Sequence, residues 1–312
     1  MVIDATGSPD VLVEREIPMV EPAIGEAIVR VSAAGVNPTD AKTRAGQGSS
    51  RFIRDYPAVI GVDFCGTIVR GPFDAHPFRP GDRVYGMVPF PRVGGSYAEF
   101  VTVPVIAIAR APRTISAVHA AAVPCAALTA WGCINSVGAV EPGQRVLIHA
   151  AAGGVGHFAV QLARRAGAYI VATASERNTD WLKELGANEV IDYRNTRFEE
   201  ETGDIDLVVD LIGNVHDSTG TRSLGVLRPN GMLLSVPTGS WPEFRSDAAA
   251  AGVRATDIHA LSDTATLAAI AELIDGGELK VHIEREFPLA QAAAAHRLLE
   301  EGHTRGKLVL AH

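Results

Sequence analysis

The chain has 312 residues, a length that suits two domains better than one, and 47% of them are apolar, enough to fill two cores. The formal net charge of −8 is spread along the chain without a long acidic or basic block, which leaves no electrostatic footprint for nucleic acid. No apolar run is long enough for a membrane-spanning helix, and the first ten residues lack a basic start before an apolar core, so no membrane contact and a cytoplasmic setting are expected.

Up to about residue 110 the sequence runs in short β-like stretches punctuated by Gly and Pro: AIVRVSAAGV (27–36), AVIGVDFCGTIV (58–69), DRVYGMV (82–88) and YAEFVTV (97–103). This predicts a β-rich first domain over 1–116. SAVHAAAVPCAALTAWGCI (116–134) is Ala-rich and long enough for a helix. Strands and helices then alternate. Strands are predicted at 145–149, 169–173, 189–191, 206–212 and 231–236, with helices at 155–167, 178–185 and 217–227. That rhythm implies βαβ units and a parallel sheet within a domain over 117–255. Beyond it a helix (264–275), the run VHIEREFPL, a helix (290–301) and the strand KLVLA look like material that returns to the first domain. The three cysteines, Cys65, Cys125 and Cys133, are odd in number and widely spaced, and are expected as buried free thiols.

The sharpest local signal is HAAAGGVGHFAVQLARRAGA (149–168): a strand, a Gly-rich turn and an amphipathic helix. The turn fits A-x-G-x-x-G at Ala151, Gly153 and Gly156, with Gly154 and Val155 between the last two. Gly153 lets the backbone approach a pyrophosphate, and Gly156 allows close packing of helix on strand. The helix N-terminus offers unpaired N–H groups and a positive dipole end to the anion. In this context of strand, turn and helix the pattern predicts dinucleotide binding; the other reading is a βα turn without a ligand.

Sites for NAD place Asp or Glu at the end of the second strand, to hold the ribose 2′-OH, whereas sites for a 2′-phosphate use cations. Here the second strand ends in Thr173, Ala174 and Ser175, followed by Glu176 and Arg177. Ser175 is able to hydrogen-bond a phosphate oxygen and Arg177 to clamp it, with Glu176 turned to solvent. NADPH is therefore the expected cofactor, although Glu176 as a ribose ligand and Arg177 as a surface charge remain open.

Taken together, the ordered segments EAIVRVSAAGVNPTDAKTRAG, YPAVIGVDFCGTIV, FRPGDRVYG, GGSYAEFVTVP, VPCAALTAWGCI, LGANEVIDYRN and GHTRGKLVL, with the glycine turn, resemble the medium-chain dehydrogenase/reductase superfamily. Within it the chain is most similar to the zinc-independent quinone oxidoreductases. The resemblance implies an α/β protein: a GroES-like β-rich catalytic domain completed by 256–312, an inserted Rossmann doubly wound parallel sheet, and an active site in the cleft. It also implies a cofactor contact at Tyr193, since relatives often hold a Tyr after the third Rossmann strand beside the 2′-phosphate. A homodimer is implied because relatives are commonly dimers, with an edge strand near 231–236 or 253–258 as the element to pair.

Zinc-dependent relatives carry a Cys in a GVCHTD-like segment and His–Glu in a GHE-like segment. Asn37 stands at the first place, Val62 and Asp63 at the second, and the four-Cys structural lobe is missing. Cys125 falls where some zinc enzymes place a further ligand, but one Cys with at most Asp63 does not make three protein ligands. No metal is expected.

The nicotinamide then carries the chemistry, and the protein supplies position and charge stabilisation. Asn37 is a candidate donor to the acceptor's oxygen, or a turn former. Asp40 either orients Asn37 or Lys42 or caps the next helix. Thr129 resembles the position that approaches the nicotinamide in relatives, or is an ordinary helix residue. Tyr56 is a candidate donor or a packed aromatic. Gly213, and Pro237 with Thr238, sit at C-terminal strand ends, where ligands bind in open α/β sheets; adenine or ribose is expected near the first and nicotinamide near the second. Segments 43–56 and 239–252 read as variable loops. The expected activity is hydride transfer from NADPH to a small-molecule quinone or α,β-unsaturated carbonyl. The alternatives are an enoyl-thioester reductase of a biosynthetic pathway and an NADPH-binding sensor with little turnover.

Overall fold

The computed structural model describes residues 1–74 and 76–312. The chain divides into two compact units, Met1–Leu128 with Leu261–His312, and Thr129–Ala260. The expected boundaries at 116/117 and 255/256 thus move to 128/129 and 260/261.

The first unit opens with β1 (Glu26–Val36), α1 (Pro38–Arg44), β2 (Asp63–Arg70), β3 (Arg83–Met87), β4 (Phe100–Pro104) and β5 (Ile108–Arg110), followed by α2 (Ala117–Ala121) and the start of α3 (Pro124–Trp131), whose last residues from Thr129 belong to the second unit. The Ala-rich stretch is therefore two short helices and a π turn (Gly132–Ser136) rather than one helix. Pro124 explains the break: it has no N–H to donate and is tolerated only in a helix's first turn. α2 packs on β1 and β2, which draws the boundary past it. Strand β2 starts later than the run 58–69 suggested, because Gly61 has φ +92° and a Cβ there would meet the Tyr97 ring at 2.2 Å.

The second unit contains β6 (Arg145–Ile148), α4 (Gly154–Arg165), β7 (Tyr169–Ala174), α5 (Thr179–Leu185), β8 (Glu189–Asp192), α6 (Phe198–Glu201), β9 (Ile205–Asp210), α7 (Thr219–Leu224), β10 (Leu227–Ser235), α8 (Phe244–Ala250) and β11 (Arg254–Asp257). All six strands pair in parallel, in the order β11-β10-β9-β6-β7-β8. The order reverses between β6 and β9, the switch point at whose strand C-termini doubly wound sheets bind ligands. Leu147, Val171, Val208 and Leu233, one from each of four strands, are fully buried in its core. Two expectations are corrected. The stretch 239–252 contains α8, anchored by buried Trp241 and Phe244, with Trp241 Nε1 donating to Asp247 Oδ2 at 2.8 Å. The strand near 231–236 is not an edge, since β11 covers β10.

The tail supplies α9 (Thr264–Asp275), β12 (Ile283–Pro288), α10 (Ala292–Glu300) and β13 (Lys307–Ala311). It does return to the first unit. β13 pairs antiparallel with β1, giving the sheet order β12-β13-β1-β2-β3-β5, with β4 also on β1. β1 is thus held by three strands and is buried along nearly all its length. Val29, Phe64, Ile68 and Val103 fill one core of this unit; Ile3, Ile60, Tyr97 and Leu310 belong to another.

Candidate functional site

In the second unit β6 runs into a tight turn in which Ala150 takes φ +45° and the Gly153 N–H returns to Ala150 O at 2.9 Å. Gly153 is the N-cap of α4, and no side chain caps the helix. The first-turn N–H groups of a helix lack intrahelical acceptors, so Gly154 and Val155, both half-buried, offer donors outward. Gly156 has the packing role expected of it: a Cβ there would lie 2.5 Å from Ala150 O and 2.6 Å from Ala151 Cα. Ala151 is fully buried, its N–H donating to Thr173 O at 3.0 Å. An uncapped helix end on an uncluttered glycine turn fits a pyrophosphate.

β7 and β8 bring the next group together. Ala174 is paired with Asp192, and the Tyr193 N–H donates to Ala174 O at 3.3 Å, so Ser175 and Tyr193 leave adjacent strand tips side by side. Ser175 is buried and accepts a hydrogen bond from Asn178 Nδ2 at 3.1 Å. Arg177 and Tyr193 are exposed, and the Arg194 guanidinium lies over the Tyr193 ring at 5.8 Å. Of the nearby carboxylates, Glu176 is exposed, and Asp192 is spent on its own turn, accepting from Arg194 N–H at 3.2 Å and Asn195 Nδ2 at 2.6 Å.

β9 and β10 also bring their tips together. Asp210 Oδ1 accepts from the N–H groups of Ile212 (2.9 Å) and Gly213 (2.8 Å). Burial raises its pKa, against those two bonds. Gly213 has φ +69°, and a Cβ on it would stand 1.9 Å from Ser240 Oγ, a hydroxyl that donates to Pro237 O at 2.7 Å. Gly213 and Pro237 are thus neighbours, with Thr238 exposed beside them. His149, after β6, is fully buried. Ser223 Oγ gives its single proton to Thr219 O (2.7 Å), so it accepts from His149 Nε2 (2.9 Å), leaving Nδ1 to accept from Thr173 Oγ (3.0 Å). Desolvation, with the Arg222 charge, lowers the His149 pKa to about 3 and keeps the ring neutral. Thr129 is buried in α3, the first residue of the second unit.

The first unit holds a buried polar cluster. Asp40 Oδ2 accepts from the Asn37 N–H (2.8 Å) and Oδ1 from Val62 N–H (3.1 Å), so Asp40 both caps α1 and fixes Asn37. The expectation that Asn37 presents a donor to a substrate is corrected. Asn37 is 2% exposed, its Nδ2 donates to Asp63 Oδ2 at 2.9 Å, and Lys307 Nζ donates to its Oδ1. Lys307 also donates to Val36 O at 3.0 Å and lies 3.9 Å from Asp63 Oδ2. Asp63 Oδ1 accepts from Cys125 N–H at 2.8 Å. Gly35 makes room for this: a Cβ on it would meet Ala121 O at 2.4 Å and Asp63 Cβ at 3.0 Å. Behind Asp40, the Tyr97 hydroxyl reaches Oδ2 at 3.4 Å and His296 Nε2 at 3.0 Å. Burial pushes Asp40 up to about 7, with Asp63 adding repulsion; burial pushes Asp63 to about 6, opposed first by Lys307. Tyr56 is corrected too: it is 46% exposed rather than packed in a core.

Lys307, Tyr97 and His296 were not anticipated from the sequence. Their one signal is a polar residue inside an apolar run, as in GKLVL, and it names no partner.

Two family profiles match this chain: the alcohol dehydrogenase GroES-like domain over residues 23–113 and the zinc-binding dehydrogenase profile over 185–310. The mitochondrial NAD(P)H oxidoreductase RTN4IP1 of Mus musculus is 32% identical over 327 residues, covering 91% of this chain and 81% of that protein. The solved quinone oxidoreductase from Coxiella burnetii is 35% identical with a TM-score of 0.94, covering 100% of this chain and 98% of that one. The Escherichia coli quinone oxidoreductase complexed with NADPH is 25% identical with a TM-score of 0.87, covering 100% and 99%. The chain belongs to the medium-chain dehydrogenase/reductase superfamily. Within it, the protein is a quinone-oxidoreductase-like member, an oxidoreductase of a nicotinamide-dependent family.

Proposed function

We propose that this protein uses NADPH to reduce a quinone or an α,β-unsaturated carbonyl, without zinc. The observation that carries the cofactor choice is the meeting of Ser175, Arg177 and Tyr193 at the tips of β7 and β8, while Asp192 is engaged by its own turn. The reading against zinc rests on the donor set. Both Asp63 oxygens are taken by N–H donors, and a buried ammonium stands where a cation would have to sit. The zinc of the matched profile's description does not bear on this, since 185–310 excludes Asn37, Val62 and Asp63.

When bound, the reduced nicotinamide supplies a hydride to an electron-poor carbon. The chain's own part is to hold and orient. The N–H groups of Gly154 and Val155 face an anion at the start of α4. Gly213, Pro237 and Thr238 offer backbone at the neighbouring strand ends. The Asn37–Asp63–Lys307 clasp fixes the loop into α1, and Asp40 keeps Asn37 from turning. The proton that completes reduction comes from water in this reading. The three free thiols accord with a reducing, cytoplasmic setting, and the edge strand β11 is the element proposed to pair two chains.

Arg177→Ala tests the cofactor choice. It is expected to raise KM for NADPH about tenfold or more, the worth of one charge-assisted phosphate contact, and to leave KM for NADH within about twofold. An equal rise for both cofactors would contradict a 2′-phosphate contact.

A further inference from the structure

Asn178 closes the turn Glu176–Asn178 and is 5% exposed. It is tied to Ser175 twice: its N–H donates to Ser175 O at 2.9 Å and its Nδ2 to Ser175 Oγ at 3.1 Å. A hydroxyl has one proton and two acceptor lone pairs. With Asn178 donating to the oxygen, the Ser175 proton is turned away from Asn178, and among the described residues nothing accepts it. Ser175 itself is 8% exposed, and a buried donor without an acceptor is costly. That proton is therefore offered to solvent or to a ligand, at a tip that also carries Arg177 and Tyr193. An amide donating to the oxygen also strengthens that hydroxyl as a donor.

From this we infer that Asn178 is a positioning residue for cofactor selectivity. It touches no ligand; it sets the Ser175 hydroxyl to donate to a phosphomonoester on the adenosine ribose. The inference rests on the NADPH reading of the same site and adds a residue to it.

The test is calorimetric titration of the whole protein with adenosine 2′,5′-bisphosphate and, separately, with 5′-AMP. Wild type is expected to prefer the bisphosphate. Asn178→Ala and Ser175→Ala should each weaken bisphosphate binding about five- to tenfold, as loss of one hydrogen bond to a charged group does, and leave 5′-AMP binding in place. The double variant should bind no worse than Ser175→Ala alone, because both act through one hydroxyl. Asn178→Asp keeps the size and shape of the side chain but accepts the Ser175 proton, so it should lose the bisphosphate preference while still binding 5′-AMP. Bisphosphate binding at the wild-type level in Asn178→Ala and Asn178→Asp, with loss in Ser175→Ala, would overturn the role of Asn178 and leave the NADPH reading standing. Additive losses in the double variant would overturn it equally. A wild type indifferent to the 2′-phosphate would overturn both readings.

Discussion

Lys307 is an ammonium buried at the start of β13, and its placement makes sense only with Asp63 and Asn37 opposite. Removing one member of such a pair strands the other charge, at a cost of about 3–5 kcal/mol. Lys307→Met is therefore expected to lower the unfolding free energy by about that much in urea titration, and Asp63→Asn added to it to recover most of the loss. A Lys307→Met protein as stable as wild type would contradict the clasp. The histidines give a pH prediction. His149 and His296 are held neutral, with pKa values lowered to about 3 and about 4 mainly by desolvation. The stability this contributes is present above the unfolded value of about 6.5 and is lost as pH falls toward those values. Asp40 and Asp63, raised by burial, act with the opposite sign: their contribution is present below the unfolded carboxylate value and is lost as pH rises toward about 7 and about 6. His149→Gln should take about one proton out of the stability slope between about pH 4 and 6, or about 1.4 kcal/mol per pH unit. An unchanged slope in pH-dependent unfolding would contradict it. Ser175, Arg177 and the glycines were candidates from the sequence because each sits at the end of a strand that its own neighbours define, and Tyr193 was one through the family resemblance. Lys307 and His296 were not, because Asn37 and Tyr97 lie 270 and 199 positions away.

At the scale of elements, periodicity located the strands and helices of the second unit within a few residues, and the helix over 264–275 matches α9. The failures have local physical reasons. Pro124 split one expected helix, the positive φ of Gly61 delayed β2, and an Ala-rich segment read as a loop became α8 once Trp241 and Phe244 had a sheet to cover. The short, polar β11 proved to be one edge of the parallel sheet, with β8 at the other. Its backbone alternates. The Ile258 N–H donates inward to Ser235 O at 3.0 Å, so the N–H groups of Ala255 and Asp257 face outward. If two chains pair there, Ala255→Pro removes an outward donor and spares the inward ladder. Sedimentation at micromolar chain concentration is expected to give a two-chain mass for wild type and a one-chain mass for Ala255→Pro with unchanged circular dichroism. A one-chain mass for wild type would contradict pairing.

At the scale of the molecule, the second unit is one continuous segment, whereas the first needs both ends of the chain, since β13 of the tail pairs with β1. The pattern of short strands followed by βαβ units made that division readable, and the return of the tail rested on resemblance until the β1–β13 register was seen. The two units supply different things: one a turn and strand tips suited to a phosphorylated dinucleotide, the other a buried clasp of Asn37, Asp63 and Lys307. The most direct measurement is the rate of NADPH consumption, followed by its absorbance, against quinones, enones and enoyl thioesters, with NADH run in parallel. Turnover of a quinone or an enone with NADPH preferred is the result this account predicts. Turnover confined to enoyl thioesters, or tight cofactor binding with no acceptor consumed, would contradict it.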